Sequence, residues 1–176
     1  PVRALILTPT RELADQVADN ATLYARYTPL RTAVVFGGVD MPAQAAQLRQ
    51  GVEILIATPG RLLDHVQQKT VNLAQVQLLI LDEADRMLDM GFLPDLQRII
   101  NLLPSTRQTL VFSATFSSEI KKLANSYLRN PVTIEVAGRN AAAENVSQSI
   151  YSVAEEDKRD AILHILKNRA SHQCII

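Results

Sequence analysis

Hydrophobic residues in the first 136 positions come in short dense runs: "ALILT" (4–8), "AVVF" (33–36), "EILIA" (53–57), "LLIL" (78–81), "TLVF" (109–112) and "VTIEV" (132–136). Most of these runs lack polar alternation. They predict strands buried on both faces, the pattern of a parallel sheet covered by helices. The stretches between them carry helical periodicity. In "SSEIKKLANSYLRN", Ile120, Leu123, Ala124, Tyr127 and Leu128 share one face, Ser117 or Ser118 caps the start, and Asn130 with Pro131 ends it. "LPDLQRIINLLP" places Leu93, Leu96, Ile99, Ile100 and Leu103 on one side. The predicted architecture is an open α/β sheet with helices on both faces.

Each of the first five strands is followed by a small polar cluster: "PTRELA" after the first, Gly37-Gly38 after the second, "TPGR" after the third, "DEAD" after the fourth and "SAT" after the fifth. All five therefore fall at the carboxyl ends of strands, the edge at which parallel α/β sheets bind ligands. Taken singly, Gly37, Gly38 and Pro59-Gly60 are also ordinary turn formers.

Three clusters have a physical reason to meet phosphate. Thr58 is placed to cap a helix, Pro59 suits its first position, and "RLLDHV" continues it. Free N–H groups there, the positive end of the helix dipole and Arg61 make an anion site. Thr10-Arg11-Glu12 repeats the arrangement ahead of "LADQVADNATLYA", and Gly37-Gly38 lets a sugar-phosphate chain approach the backbone. Three such sites on one rim suit a polyanionic strand better than a single small phosphate.

The run "LLIL" ends abruptly in Asp82, Glu83 and Asp85. Ionised carboxylates at the rim of a core repel one another unless something positive sits between them. Mg²⁺ meets that need, since it is commonly held by one or two carboxylates, several waters and substrate phosphate oxygens. Asp82 is the natural residue on the metal side, and Glu83 is placed to orient or deprotonate an attacking water. The competing reading is that Asp82 or Asp85 merely caps the helix "RMLDM".

Composition changes this picture little. With 176 residues, 47% hydrophobic and 20% charged, the chain reads as an ordinary globular protein with a substantial core. No apolar stretch approaches the roughly 20 residues of a membrane helix, and the expected setting is cytoplasmic. Eighteen basic residues balance eighteen acidic ones, so nucleic-acid binding has to be built from a few placed groups. A single cysteine, Cys174, excludes an internal disulfide framework and reads as a small core hydrophobe. His65, His164 and His172 lack metal-ligand spacing, and His65 and His164 read as helix-surface residues. Four tyrosines and four phenylalanines give no obvious platform for stacking bases.

Asp82-Glu83-Ala84-Asp85 spells the motif of the DEAD-box RNA helicases, and the other clusters match that family's motifs in order. Pro9-Thr10-Arg11-Glu12-Leu13-Ala14 resembles motif Ia, Gly37-Gly38 the GG motif, Thr58-Pro59-Gly60-Arg61 motif Ib and Ser113-Ala114-Thr115 motif III. "RMLDMGF" and "RQTLVFSATFS" look most like the bacterial RhlE-like subgroup. The resemblance implies a RecA-like P-loop NTPase fold and an ATP-dependent RNA helicase that pries apart short duplexes, with ATP and Mg²⁺ as cofactors. It gives Asp82 and Glu83 the metal and water roles. Asp85 would meet motif III and residues of a second domain, with the Ser113 and Thr115 hydroxyls bonding Asp85 when two domains close. Pro9, Thr10, Arg11, Gly37, Gly38, Thr58, Pro59, Gly60 and Arg61 would grip RNA through its backbone, without reading sequence.

The same resemblance implies that residues 1–136 are most of a first RecA-like domain, 137–148 a linker, and 149–176 the opening strand and helix of a second, the helix running through Ile162, Ile165 and Leu166. No glycine heads a G-x-x-x-x-G-K-[ST] loop, so the isolated chain is expected to be inactive. Its affinity for RNA is expected to be weaker than roughly 10⁻⁴ M. In related folds the strand carrying the phosphate loop lies beside the one ending at Ser113. Its absence is expected to leave an open edge that invites dimerisation or strand exchange. Two other readings stay open: a non-catalytic RNA-binding or protein-docking module, and a carboxylate-metal hydrolase acting through Asp82, Glu83 and Asp85.

Overall fold

A computed structural model describes residues 1–136 and 149–168. The expected linker 137–148 lies outside the described residues, as do His172 and Cys174. The chain divides into two compact units, Pro1–Ile134 and Glu135–Ile176.

The first unit alternates strand and helix: β1 (Ala4–Leu7), α1 (Arg11–Ala25), β2 (Thr32–Val35), α2 (Met41–Arg49), β3 (Ile54–Ala57), α3 (Pro59–Gln67), β4 (Leu78–Leu81), α4 (Ala84–Asp89), α5 (Leu93–Asn101), β5 (Gln108–Val111) and α6 (Ser118–Tyr127). All ladders are parallel, and the strand order is β2-β3-β1-β4-β5. The five apolar runs become strands because helices cover both sheet faces. Leu5, Leu7, Leu55, Leu79 and Leu81 point into a large core closed by Leu62 of α3, Met87 of α4, Leu96 and Ile99 of α5 and Ile120 of α6. The alternate residues Ile6 and Ile56 face Ala14 and Ala18 of α1. The period of two along a strand sorts each run into these two layers.

The helix ends follow the expected chemistry in most places. Ser117 Oγ accepts the Ile120 N–H at 3.3 Å, which settles the choice between the two serines. Thr10 Oγ1 accepts the Leu13 N–H at 3.3 Å. Thr58 occupies the N-cap of α3 with Pro59 following, yet its side chain makes no capping bond.

Residues 132–136 form no strand, contrary to expectation. Val132 is 86% exposed and Ile134 81%. This run alternates polar and apolar residues, unlike the other five, and strand propensity without a ladder neighbour leaves the backbone groups to water. Among the described strands, β5 has only β4 as neighbour, so its outer edge is open.

In the second unit the expected helix is present as α7 (Lys158–Asn168), preceded by one 3₁₀ turn over Glu155–Asp157. None of its described residues is buried. Lys158 Nζ lies 2.6 Å from Glu155, in keeping with a solvated face. Residues 149–154 adopt no regular element, with Ile150 98% exposed, so the strand expected there is absent. Among the described residues no helix is long and apolar enough to cross a membrane.

A candidate phosphate-binding rim

Register places the five strand ends level with one another. Val35 pairs with Ala57, Ala57 with Leu7, Leu7 with Leu81, and Leu81 with Val111. The residues that follow therefore form one rim, ordered Gly37-Gly38, Thr58–Arg61, Pro9–Arg11, Asp82–Asp85 and Ser113–Thr115. All the residues expected to act lie on it, in two halves. The three clusters expected to bind anions sit side by side over β2, β3 and β1, and the acids and hydroxyls sit over β4 and β5.

In the anion half, side chains hold the glycine loop by its carbonyls. Arg11 donates from NH1 to Gly37 O at 3.1 Å, and Arg61 donates from NH1 to Val39 O at 2.9 Å. Gln44 donates from Nε2 to Phe36 O at 3.0 Å. Gly38 has φ of 80°, a left-handed conformation that favours glycine, and a Cβ there would strike the Arg11 guanidinium. The two rim arginines thus brace the loop as well as bringing charge. Sequence reasoning missed Gln44, and it misplaced His65, which is wholly buried rather than on the helix surface. Only the fold brings the polar partners of these two residues together.

In the acid half, the Asp82 N–H donates to Leu7 O at 2.9 Å and the Ala84 N–H to Phe112 O at 2.9 Å, tying the acidic segment to β1 and β5. Between them Glu83 is left-handed, with φ 49° and ψ 51°. A non-glycine residue there costs about 1–2 kcal/mol, and such strain clusters at functional sites. Neither Asp82 nor Asp85 caps α4 in the usual manner, because each accepts the N–H of its immediate successor, at 3.0 and 3.1 Å. Asp85 Oδ2 also accepts the Thr115 N–H at 3.0 Å, and Ser113 Oγ donates to Thr115 O at 2.7 Å. The resemblance implies bonds from the Ser113 and Thr115 hydroxyls to Asp85 on closure of two domains; a backbone bond from Thr115 to Asp85 is present within the first unit, because β4 and β5 are ladder neighbours.

The two aspartates are tuned in opposite directions. Burial raises the Asp82 pKa, the Glu83 N–H opposes this, and the Glu83 charge adds to it; the net shift is upward. Burial acts on Asp85 too, but hydrogen bonds from Thr115, Arg86 and Ser113 outweigh it and lower the pKa. Asp85 therefore contributes stability that is present above its unfolded pKa of about 3.9 and is lost as pH falls through its lower folded value. Asp82 has the reverse sign: its ionised form costs stability at neutral pH, and the cost vanishes as pH falls through its raised pKa. Asp82→Asn is accordingly expected to raise the urea midpoint at pH 7, and Asp85→Asn to lower it. Both differences should fade below about pH 4. Midpoints shifting in the opposite order would overturn these assignments.

The donor set also bears on a metal. Among the described residues no group of three or more His, Cys, Asp or Glu side chains is arranged to hold an ion. Asp82 with neighbouring Glu83 is a sparse, all-oxygen set at the rim where phosphate sites are expected. That suits Mg²⁺, which keeps several waters and takes one or two carboxylates together with substrate phosphate.

The profile described as DEAD/DEAH box helicase matches residues 1–123. The chain is 38% identical over 175 residues to the DEAD-box ATP-dependent RNA helicase RhpA of Helicobacter pylori, covering 99% of this chain and 36% of that relative. It is 45% identical over 167 residues to the ATP-dependent RNA helicase RhlB of Pseudomonas putida, covering 93% and 42%. The crystal structure of a DEAD box protein from the hyperthermophile Methanococcus jannaschii matches with a TM-score of 0.73 and 40% identity, over 95% of this chain and 45% of that one. The chain spans less than half the length of each of these proteins.

Proposed function

Because this chain belongs to the DEAD/DEAH box helicase family, with its RecA-like α/β fold, we propose that it is part of the core of an ATP-dependent RNA helicase that couples binding and hydrolysis of Mg-ATP to local opening of RNA duplexes in the cytoplasm. The observation that carries this reading is the shared rim. The strand leading into Pro9–Arg11 is the ladder neighbour of the strand leading into Asp82 and Glu83, so phosphate-gripping groups and acids are coupled through one backbone.

In this reading the rim divides the labour. Pro9, Thr10, Arg11, Gly37, Gly38, Thr58, Pro59, Gly60 and Arg61 hold the RNA backbone, using helix N-termini, guanidinium charge and a loop without Cβ atoms. Asp82 holds Mg²⁺ through water, and the ion supplies charge neutralisation at the nucleotide phosphates when bound. Glu83 orients the attacking water and takes its proton. Asp85, Ser113 and Thr115 pass strain between the acids and the segment that follows β5. Residues 1–136 serve as most of a first domain, 137–148 as the linker and 149–176 as the opening of a second. By itself the chain is expected not to turn over ATP, since no G-x-x-x-x-G-K-[ST] loop occurs in it.

The test is RNA-stimulated ATP hydrolysis and strand separation of a short RNA duplex by a protein that carries this chain together with a phosphate loop and a complete second domain. Hydrolysis that rises with RNA supports the reading. RNA binding without any hydrolysis would reduce the rim to a non-catalytic grip.

Gly38 gives a local check on that grip. Gly38→Ala is expected to cost roughly 1–2 kcal/mol for the left-handed backbone and to push Arg11 off Gly37 O. It should weaken RNA binding about equally across sequences. Unchanged affinity in a titration of several unrelated oligonucleotides would mean that the loop does not face RNA.

A further inference from the structure

His65 is wholly buried on α3, and its ring joins a chain of polar contacts that ends at the rim. Nδ1 lies 2.7 Å from Thr70 Oγ1, and Nε2 lies 3.2 Å from Gln44 Oε1. Gln44, 6% exposed on α2, donates to Phe36 O, while Arg61 NH1 donates to Gln44 Oε1 at 3.0 Å and to Val39 O at 2.9 Å.

The chemistry of the partners fixes the protons. A backbone carbonyl only accepts, so the Gln44 amide nitrogen faces Phe36 O. A guanidinium only donates, so Gln44 Oε1 faces Arg61. That same oxygen confronts His65 Nε2, and two bare lone pairs 3.2 Å apart would repel. Nε2 therefore carries hydrogen. The single Thr70 hydroxyl proton has two acceptors in reach, Nδ1 at 2.7 Å and His65 O at 3.0 Å; in the neutral ring it goes to Nδ1, since the His65 carbonyl already accepts the Thr70 N–H at 3.0 Å.

Resting on the RNA-binding reading of the rim, we infer that His65, with its proton on Nε2, is a positioning residue for the RNA grip: through Gln44 it sets the guanidinium of Arg61 and the carbonyls of the loop 36–39. Two of the three side-chain bonds that hold this loop, those to Phe36 O and Val39 O, come from Gln44 and from the arginine bonded to it. Without the ring, Gln44 Oε1 keeps one donor where it had two, and the amide is free to turn away from both Arg61 and Phe36. Burial, and then the nearby Arg61 charge, hold the His65 pKa below its ordinary value, with Asp64 opposing, a shift that favours the neutral ring. A buried polar network of this kind keeps its value only when every member is satisfied.

The experiment uses a protein that carries this chain with a phosphate loop and a complete second domain, at low salt, where phosphate contacts bind tightest, with a uridine decamer as probe. ¹⁵N shifts of the His65 ring are expected to report hydrogen on Nε2. His65→Leu is expected to weaken decamer binding about tenfold, a change of about 1.4 kcal/mol. His65→Gln, which keeps a donor near the position of Nε2, should stay within about threefold of the wild type. In an Arg61→Ala background His65→Leu should cost nothing further, the non-additivity expected of residues acting through one another. Urea midpoints establish that every variant is folded at the temperature of titration. A merely structural histidine would leave the affinity of folded His65→Leu unchanged, or would give additive effects with Arg61→Ala, and either result overturns the inference. Hydrogen on Nδ1 overturns it too. Failure of the unsubstituted two-domain protein to bind the decamer would instead remove the RNA reading itself, and the inference with it, even if the ¹⁵N shifts report hydrogen on Nε2.

Discussion

Glu83→Gln, placed in a protein that carries this chain with a phosphate loop and a full second domain, is expected to cut RNA-stimulated ATP turnover by about 10²–10⁴-fold, the usual contribution of a positioned general base. RNA binding and folding should be untouched. The substitution is nearly isosteric, and it leaves the left-handed backbone at residue 83 as it was, because that conformation is set by the bonds of Asp82 and Ala84 to neighbouring strands. The one ion pair it removes, to Arg86 at 3.4 Å, joins two side chains that are 42% and 58% exposed, and pairs of that kind contribute little. A folded variant with undiminished turnover would show that Glu83 serves only as the partner of Arg86. Loss of turnover together with loss of RNA binding would point to damage of the rim as a whole.

The largest effect on stability is expected from Met87→Ala, at about 2–5 kcal/mol. α4 spans only six residues, and just two of them, Ala84 and Met87, are buried. Met87 is fully enclosed in the main core, its N–H donates to Glu83 O at 3.0 Å, and its carbonyl accepts from the Phe92 N–H at 2.9 Å. The side chain is thus the anchor that keeps the acidic segment on the sheet. Truncation removes buried methylene and thioether contacts and leaves a cavity under the acids. Urea unfolding reads the loss directly, as a lower midpoint with an unchanged slope. Met87→Leu, close in volume, should cost less than about 1.5 kcal/mol. A loss below about 1 kcal/mol for the alanine variant would mean that the neighbouring leucines close over the space.

Much of this fold is legible in the sequence because its two strongest signals are local. Runs such as "LLIL" and "ALIL" need no partner information to be read as buried strands, and a parallel sheet brings the residue after each run to one edge. The candidate site follows from the same rule, which is why Arg11, Gly38, Arg61, Asp82 and Thr115 fall on a common rim. The misreadings share one cause, that their outcome depends on what lies across space. "VTIEV" has strand composition but finds no ladder among the described residues. His65 follows Asp64 in "RLLDHV", and its burial is made tolerable by Gln44 and Thr70, which meet its two ring nitrogens. The contact between Asp85 and Thr115 spans thirty residues and depends on β4 and β5 being neighbours.

The place of β1 in the sheet has a consequence for biosynthesis. Of the five described strands this one is made first, yet it lies between β3 and β4, and both those ladder partners come much later, at Ile54–Ala57 and Leu78–Leu81. At roughly 5–20 residues per second, several seconds pass on the ribosome between completion of β1 and the appearance of β4. For that interval Leu5, Ile6 and Leu7 lack one or both of these ladder partners, and their burial depends on collapse against other segments such as α1 or on a chaperone at the exit tunnel. Conditions that slow translation between Leu7 and Leu81 therefore lengthen the period in which the nascent chain is most prone to aggregate.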